Sequence, residues 1–156
     1  MYNHPMRRSE RELSSEQAAE ILHSGSWGVL STIGADGYPY GVPVNYVYCD
    51  EKIYFHCARN SGHKQENLIF SGKVSFTVVD KSQVDSKNLT TMYRSAIAFG
   101  VAAKTVIDKE KALRALVKKY SPDFIQAGER EINLEGANCD IFVIEIEKLS
   151  AKSNIK

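Results

Sequence analysis

The chain has 156 residues, 43% of them apolar, enough to bury one core without disulfides or a structural metal but cramped for two full domains. With 20 Lys plus Arg against 19 Asp plus Glu, it has no global field to recruit nucleic acid or an anionic membrane, and any anion site must be local. No run approaches the roughly 18 apolar residues that cross a bilayer, and Met1-Tyr2-Asn3-His4-Pro5 lacks a charged stretch leading into an apolar one, so a cytoplasmic location is expected.

One domain over 1–156 is expected, with an N-terminal arm (1–12) and a C-terminal tail (147–156). The first element reads as a helix: Ser14 and Ser15 are N-cap candidates, Ala18, Ile21 and Leu22 recur at helical spacing, and Gly25 closes it. Ser15 is followed three residues later by Ala18, which cannot complete a capping box. Residues 27–33 are β-branched and apolar, and Gly34-Ala35-Asp36-Gly37 is turn chemistry, so a hairpin into the strand 39–48 is predicted. That strand alternates Tyr40, Val42, Val44, Tyr46 and Tyr48 with Gly41, Pro43, Asn45 and Val47. Pro39 and Pro43 place it at a strand start, a bulge or an edge.

Cys49-Asp50-Glu51-Lys52 turns into a strand over 53–58, and Arg59-Asn60-Ser61-Gly62 leads into a short polar helix over 63–70 that Ser71-Gly72 ends. A strand over 73–79 follows, then a polar segment, 80–91, expected as an irregular functional loop or mobile crossing. A strand over 93–104 and a helix over 108–120 come next, the helix presenting Leu113, Leu116, Val117 and Tyr120 on one face and stopping before Pro122. The last strand, 139–146, sets Ile141 and Val143 against Phe142 and Ile144, apolar on both faces and so buried on both sides. These elements amount to a mainly β domain: about six antiparallel strands closing into a small barrel with flanking helices, which leaves few exposed edges.

Chemistry has few places to sit. Cys49, Cys57 and Cys139 are an odd number without Cys-x-x-Cys spacing, which fits packed thiols better than a disulfide framework or a zinc site. Gly-x-Ser-x-Gly and His-Glu-x-x-His are absent, so hydrolytic machinery is not visible. In 59–64, Ser61 can cap or donate, Gly62 permits close backbone approach and Lys64 brings charge to a helix N-terminus, the parts of a phosphate cradle. Taken alone, the segment is more simply a capped surface helix, since its spacing matches neither a P-loop nor a Rossmann fingerprint. His56, a strand histidine five residues before the cradle, is by itself an ordinary packed or surface residue.

Several segments taken in order carry a resemblance. Gly37-Tyr38-Pro39-Tyr40, Pro43-Val44-Asn45-Tyr46-Val47-Tyr48, Ile53-Tyr54-Phe55-His56, His63-Lys64 with Asn67-Leu68, and Tyr93-Arg94-Ser95 with Phe99-Gly100 resemble the flavin-binding split barrels. That superfamily contains pyridoxamine 5'-phosphate oxidase, and the similarity is greater to its nitroimidazole-resistance branch, extending over 6–146. The resemblance implies FMN held between the subunits of a homodimer, reduced by a donor such as a reduced nicotinamide and reoxidised by a small-molecule acceptor such as a nitroimidazole or quinone. It also implies that the strand bearing Val44, Asn45 and Tyr46 lies along the isoalloxazine, and that His56, Cys57 and Ala58 contact the ring or the ribityl chain. His63 and Lys64 match the cationic phosphate site, and Ser95 is the polar side chain offered by the partner subunit. The resemblance turns Lys64 from a solvated lysine into a phosphate ligand; Asn45 and Tyr46 fit a purely structural role equally well, and Cys57 still reads as packing.

The chain departs from the oxidases at Val42 and His63, where they carry arginines, and it ends without their C-terminal substrate-binding segment. These departures argue against pyridoxamine phosphate as substrate. The alternative to an oxidoreductase is a non-catalytic flavin- or haem-binding protein, because fold does not fix function.

Overall fold

The structure, a computed structural model, describes residues 4–60 and 62–155. Seven strands form one antiparallel sheet: β1 (Gly28–Ile33), β2 (Pro39–Val44), β3 (Tyr46–Cys49), β4 (Lys52–Ala58), β5 (Lys73–Asp85), β6 (Thr90–Thr105) and β7 (Cys139–Ser153), in the order β2-β1-β5-β6-β7-β4-β3. The two edge strands, β2 and β3, are consecutive in the chain and joined by Asn45 alone. A one-residue link between opposite edges forces the sheet to curl until they nearly meet, which makes it a split barrel.

The strand expected over 39–48 is therefore two strands, and the count rises from about six to seven. The break is invisible in the side-chain pattern because alternation continues through it: Val42, Val44, Tyr46 and Tyr48 all pack on the barrel core. Edge placement also accommodates Pro39 and Pro43 in β2, where a missing donor costs no ladder bond on the open side. The turn after β3 uses left-handed Asp50 (φ 50°) and Glu51 (φ 59°), the conformation that suits a tight hairpin.

The expected loop over 80–91 is strand at both ends. β5 continues to Asp85 and β6 begins at Thr90, pairing as a ribbon beyond a register shift between Val79 and Lys81. The ribbon exposes Val84 and Leu89 and lacks a buried face, which is why its sequence carries no strand alternation. Its base is anchored by the buried carboxylate of Asp80, which accepts from Arg94 Nε at 3.2 Å and from Ser24 Oγ at 2.8 Å. β7 likewise runs past Ile146, so 147–153 of the expected tail are strand, paired with 94–99 of β6 after a register shift at Gly100. Glu12 of the N-terminal arm makes a bridge to Lys152.

Helix α1 (Ser15–Ser24) begins at Ser14, which forms a capping box with Gln17: Ser14 Oγ accepts from Gln17 N at 3.3 Å and Gln17 Oε1 from Ser14 N at 3.0 Å. It lays Ala18, Ile21 and Leu22 on the barrel interior beside Leu30, Phe55, Phe76 and Ile144. Helix α2 (His63–Phe70) has the expected bounds, and α3 (Lys109–Tyr120) presents Ala112 and Leu116 to a second core built with Tyr54, Ile141 and Val143. Phe142 and Ile144 face the first core, so both faces of β7 are buried there. A further helix, α4 (Ile125–Glu135), was not expected from the sequence; it packs on α3.

Candidate functional site

The segment between β4 and α2 is shaped from below. Arg59 N donates to Asn138 O at 3.2 Å, and left-handed Asn60 (φ 51°) donates its N–H to Asp140 Oδ2 at 3.1 Å. Asp140 is buried, and Lys104 Nζ at 2.7 Å from Oδ1 and the Asn60 bond hold its carboxyl below the usual range against the burial that raises it. Gly62 caps α2 at φ 97°, a conformation only glycine adopts without strain; a Cβ there would meet nothing within 4 Å, so the requirement is conformational. Ser61 lies outside the described residues.

Gln65 N and Glu66 N close the first turn of α2 on Gly62 O at 2.9 and 3.2 Å, leaving the N–H groups of His63 and Lys64 ahead of it at the positive end of the helix dipole. Lys64 is half-buried beside them, with Nζ 5.5 Å from the centroid of the Phe55 ring, and it forms no ion pair among the described residues. His63 is exposed and stacks at a tilt on Tyr40, centroids 4.3 Å apart. Gln65 and Asn67 dock the helix: Gln65 Nε2 donates to Cys57 Sγ at 3.3 Å and to Ala58 O, and Asn67 Nδ2 donates to Thr32 Oγ1 at 3.0 Å. The helix thus bridges β1 and β4, on the two sides of the split.

On β4, Phe55 and Cys57 point into the barrel while His56 and Ala58 point out. Partial burial pushes the His56 imidazole below its ordinary value and the Lys64 charge pushes it further, although the residue as a whole is exposed. Cys57 is a buried thiol pushed up by burial more than Lys64 pulls it down, a packed group rather than a thiolate. The last ladder pair of β3 and β4 is Tyr46 with Phe55; beyond it the chain leaves β4 through exposed Asn45 and enters β2, where half-buried Val44 pairs with Gly28 of β1. The Tyr46 side chain is fully buried, its hydroxyl donating to Leu22 O at 2.7 Å, and so serves the core.

Ser95 is buried on β6, between Lys152 of β7 and Val79 of β5.

Sequence reasoning missed three contributors. Asp140 and Tyr120 act through long-range bonds; the Tyr120 hydroxyl accepts from Tyr46 N at 2.9 Å and approaches the carbonyls of Ser26 and Tyr46 at 2.8 and 2.9 Å. The third is a cleft of about 540 Å³ between α3, α4 and the sheet, whose lining includes His56, Leu116, Phe124, Ile132 and Cys139. Ile125 and Ile132, two helical turns apart, were the available signal for its α4 wall. No helix among the described residues is long and apolar enough to cross a membrane, and no three His, Cys, Asp or Glu side chains gather there as a metal site.

A family model described as pyridoxamine 5'-phosphate oxidase matches residues 14–153. Among solved structures, one from Bacteroides thetaiotaomicron described as a 5-nitroimidazole antibiotic resistance protein superposes with a TM-score of 0.72 at 18% identity, over 91% of this chain and 86% of that one. An FAD-binding protein of Mesorhizobium loti gives 0.68 at 21% identity over 93% and 98%. The flavocytochrome Anf3 of Azotobacter vinelandii gives 0.78 at 20% identity over 98% and 73%. No curated protein matches the chain.

Proposed function

The chain belongs to the pyridoxamine 5'-phosphate oxidase family, and from that membership we propose that it binds FMN and reduces a small electrophile such as a nitroimidazole or quinone. The observation that carries the reading is Lys64, a half-buried cation with no carboxylate partner among the described residues, at the N-terminus of a helix whose cap is an obligate glycine. A phosphate fits that position by charge and by the free N–H groups around it. His63 and Lys64 would hold the phosphate, with Asn45, His56 and Ala58 along the ribityl chain and ring. FMN supplies the redox chemistry when bound. The chain's own part is to orient it, and to keep beside it a His56 ring that burial and Lys64 bias toward its neutral form.

On this reading Ser95 comes from a second copy, and the working unit is a homodimer in which each subunit lends Ser95 to its partner's site. Exposed Trp27 before β1, Tyr38 in the β1–β2 turn, and Ile69 and Phe70 on α2 offer apolar area for such a contact, and a stable one buries more than about 1,200 Å² in total. Because relatives of this fold include a flavocytochrome, the deciding experiment is the absorbance spectrum of the purified protein, followed by sedimentation and by turnover of a nitro compound with reduced nicotinamide. Flavin bands, a species of twice 17.4 kDa and turnover are expected. A haem Soret band with no flavin, or a monomer that binds FMN tightly, would refute the proposal.

A further inference from the structure

We propose that the cleft beneath α3 and α4 is the substrate pocket, and that it admits compact ring compounds that are uncharged or cationic while turning anionic ones away. The proposal rests on the flavin reading above, because His56 is the residue shared by the cleft wall and the strand assigned to the flavin. Its volume of about 540 Å³ lies in the range of small-molecule sites, roughly 300–1,000 Å³. The walls are apolar, with Leu116 and Val117 from α3, Phe124 from the turn before α4 and Ile132 from α4, and Phe124 is 69% exposed. A Cβ on Gly128 would come within 2.3 Å of Val117 Cγ1, so this glycine lets the two helices meet closely.

The sign of the charge selects the ligand. Glu131 and Glu135 line the cleft and no Lys or Arg does. Glu135 Oε2 accepts from Asn138 Nδ2 at 2.6 Å, which leaves its charge uncompensated, and Glu131 pairs with no cation among the described residues. The surrounding cations lie outside the lining: Arg114 is paired with Glu110 and Glu129, while Lys109 and Arg59 donate to the carbonyls of Cys139 at 2.6 Å and Ala137 at 3.3 Å, bonds that fix their head groups without cancelling their charge. His56, held toward its neutral form, adds no positive charge. The protein thus separates signs around His56, with a cation at Lys64 for the cofactor's phosphate and carboxylates at the substrate's end. A phosphorylated substrate would face the wrong charge there.

The test uses three probes with one ring: 4-nitrobenzylamine, 4-nitrobenzyl alcohol and 4-nitrobenzoate, titrated by calorimetry at pH 7 against the protein as purified, its flavin content recorded. Two carboxylates several ångströms away in a solvent-lined cleft favour the amine over the benzoate by about tenfold or more. The double variant Glu131→Gln/Glu135→Gln should compress that ratio toward one without changing the flavin spectrum. Ala127→Trp, on the cleft wall, should abolish binding of all three. Equal affinity for amine and benzoate, a ratio unchanged in the double variant, or full binding to Ala127→Trp would overturn the proposal. Protein that carries no flavin but still orders the three probes would overturn the flavin reading alone, and flavin-loaded protein that does not order them would overturn only the pocket.

Discussion

Replacing Lys64 by alanine tests the cradle most directly, because the proposed role gives this side chain two separable effects. Its ammonium would make one charge-assisted contact with the phosphate at the N-terminus of α2, typically worth about 1.5–3 kcal/mol, or roughly 10- to 150-fold in affinity at 1.4 kcal/mol per decade. Riboflavin, which lacks the phosphate, should bind the variant nearly as well as the parent. The docking bonds of the helix run through Gln65 and Asn67, so they survive the change. The second effect is electrostatic. Lys64 is the smaller of the two causes that depress His56, behind burial, so the imidazole should titrate higher in Lys64→Ala yet stay below its ordinary value. Fluorescence titration with FMN and riboflavin reads the first effect, and the proton NMR titration of His56 reads the second. Equal losses for FMN and riboflavin, or an unmoved His56, would mean that Lys64 supports the fold and that the phosphate goes elsewhere.

Lys119 places a buried Nζ over the Tyr46 ring, 3.9 Å from its centroid, without a hydrogen-bond partner, and burial pushes the amine down to about 8. A depressed base costs stability fully below its folded value and nothing above its unfolded one near 10.5, so Lys119→Met should stabilise by about 1–2 kcal/mol at pH 7, once ring attraction offsets part of the penalty. Denaturant melts should show that gap closing between pH 8 and pH 10.5, and a pH-independent gap would contradict the assignment. Tyr120→Phe leaves Tyr46 N unpaired at the β2–β3 junction and should cost about 1–3 kcal/mol by urea unfolding; a neutral result would mean that the junction holds without it. Gly100→Ala sets a Cβ 2.1 Å from Glu145 O where β6 and β7 change register, and a thermal melt should show a loss of at least about 3 kcal/mol, because backbone must move.

What could be read from the sequence was what neighbours along the chain decide. Helix α2 kept its expected bounds because a glycine at φ 97° starts it and Ser71-Gly72 ends it, both local devices. The two-sided burial of β7 followed from its own residues: Ile141 and Val143 enter one core, Phe142 and Ile144 the other. The β2–β3 break escaped because period-2 alternation is blind to which strand a residue pairs with. Tyr46 keeps the parity of Val44 while its ladder partner changes from β1 to β4. The ribbon at 80–91 escaped for the opposite reason, having a partner strand and no buried face to record it.

The same division runs through the candidate site. Lys64 and His56 are placed by local sequence, so a reader of the chain finds them. What sets their behaviour comes from far away in sequence: Asp140 fixes Asn60 across 80 residues, and Tyr120 fixes Tyr46 across 74. The first tie ends on the turn between β4 and α2 and the second on the strand end beside the one-residue β2–β3 link, both places where a backbone donor has no ladder partner and keeps one conformation only if it is committed elsewhere. The residues that touch a cofactor therefore need not be the ones that order the site. Asp140, buried and paired with Lys104, is such a residue: it touches no proposed ligand, yet without it the turn before Lys64 would lose the acceptor of Asn60 N and be left with the bond from Arg59 N to Asn138 O among the described residues.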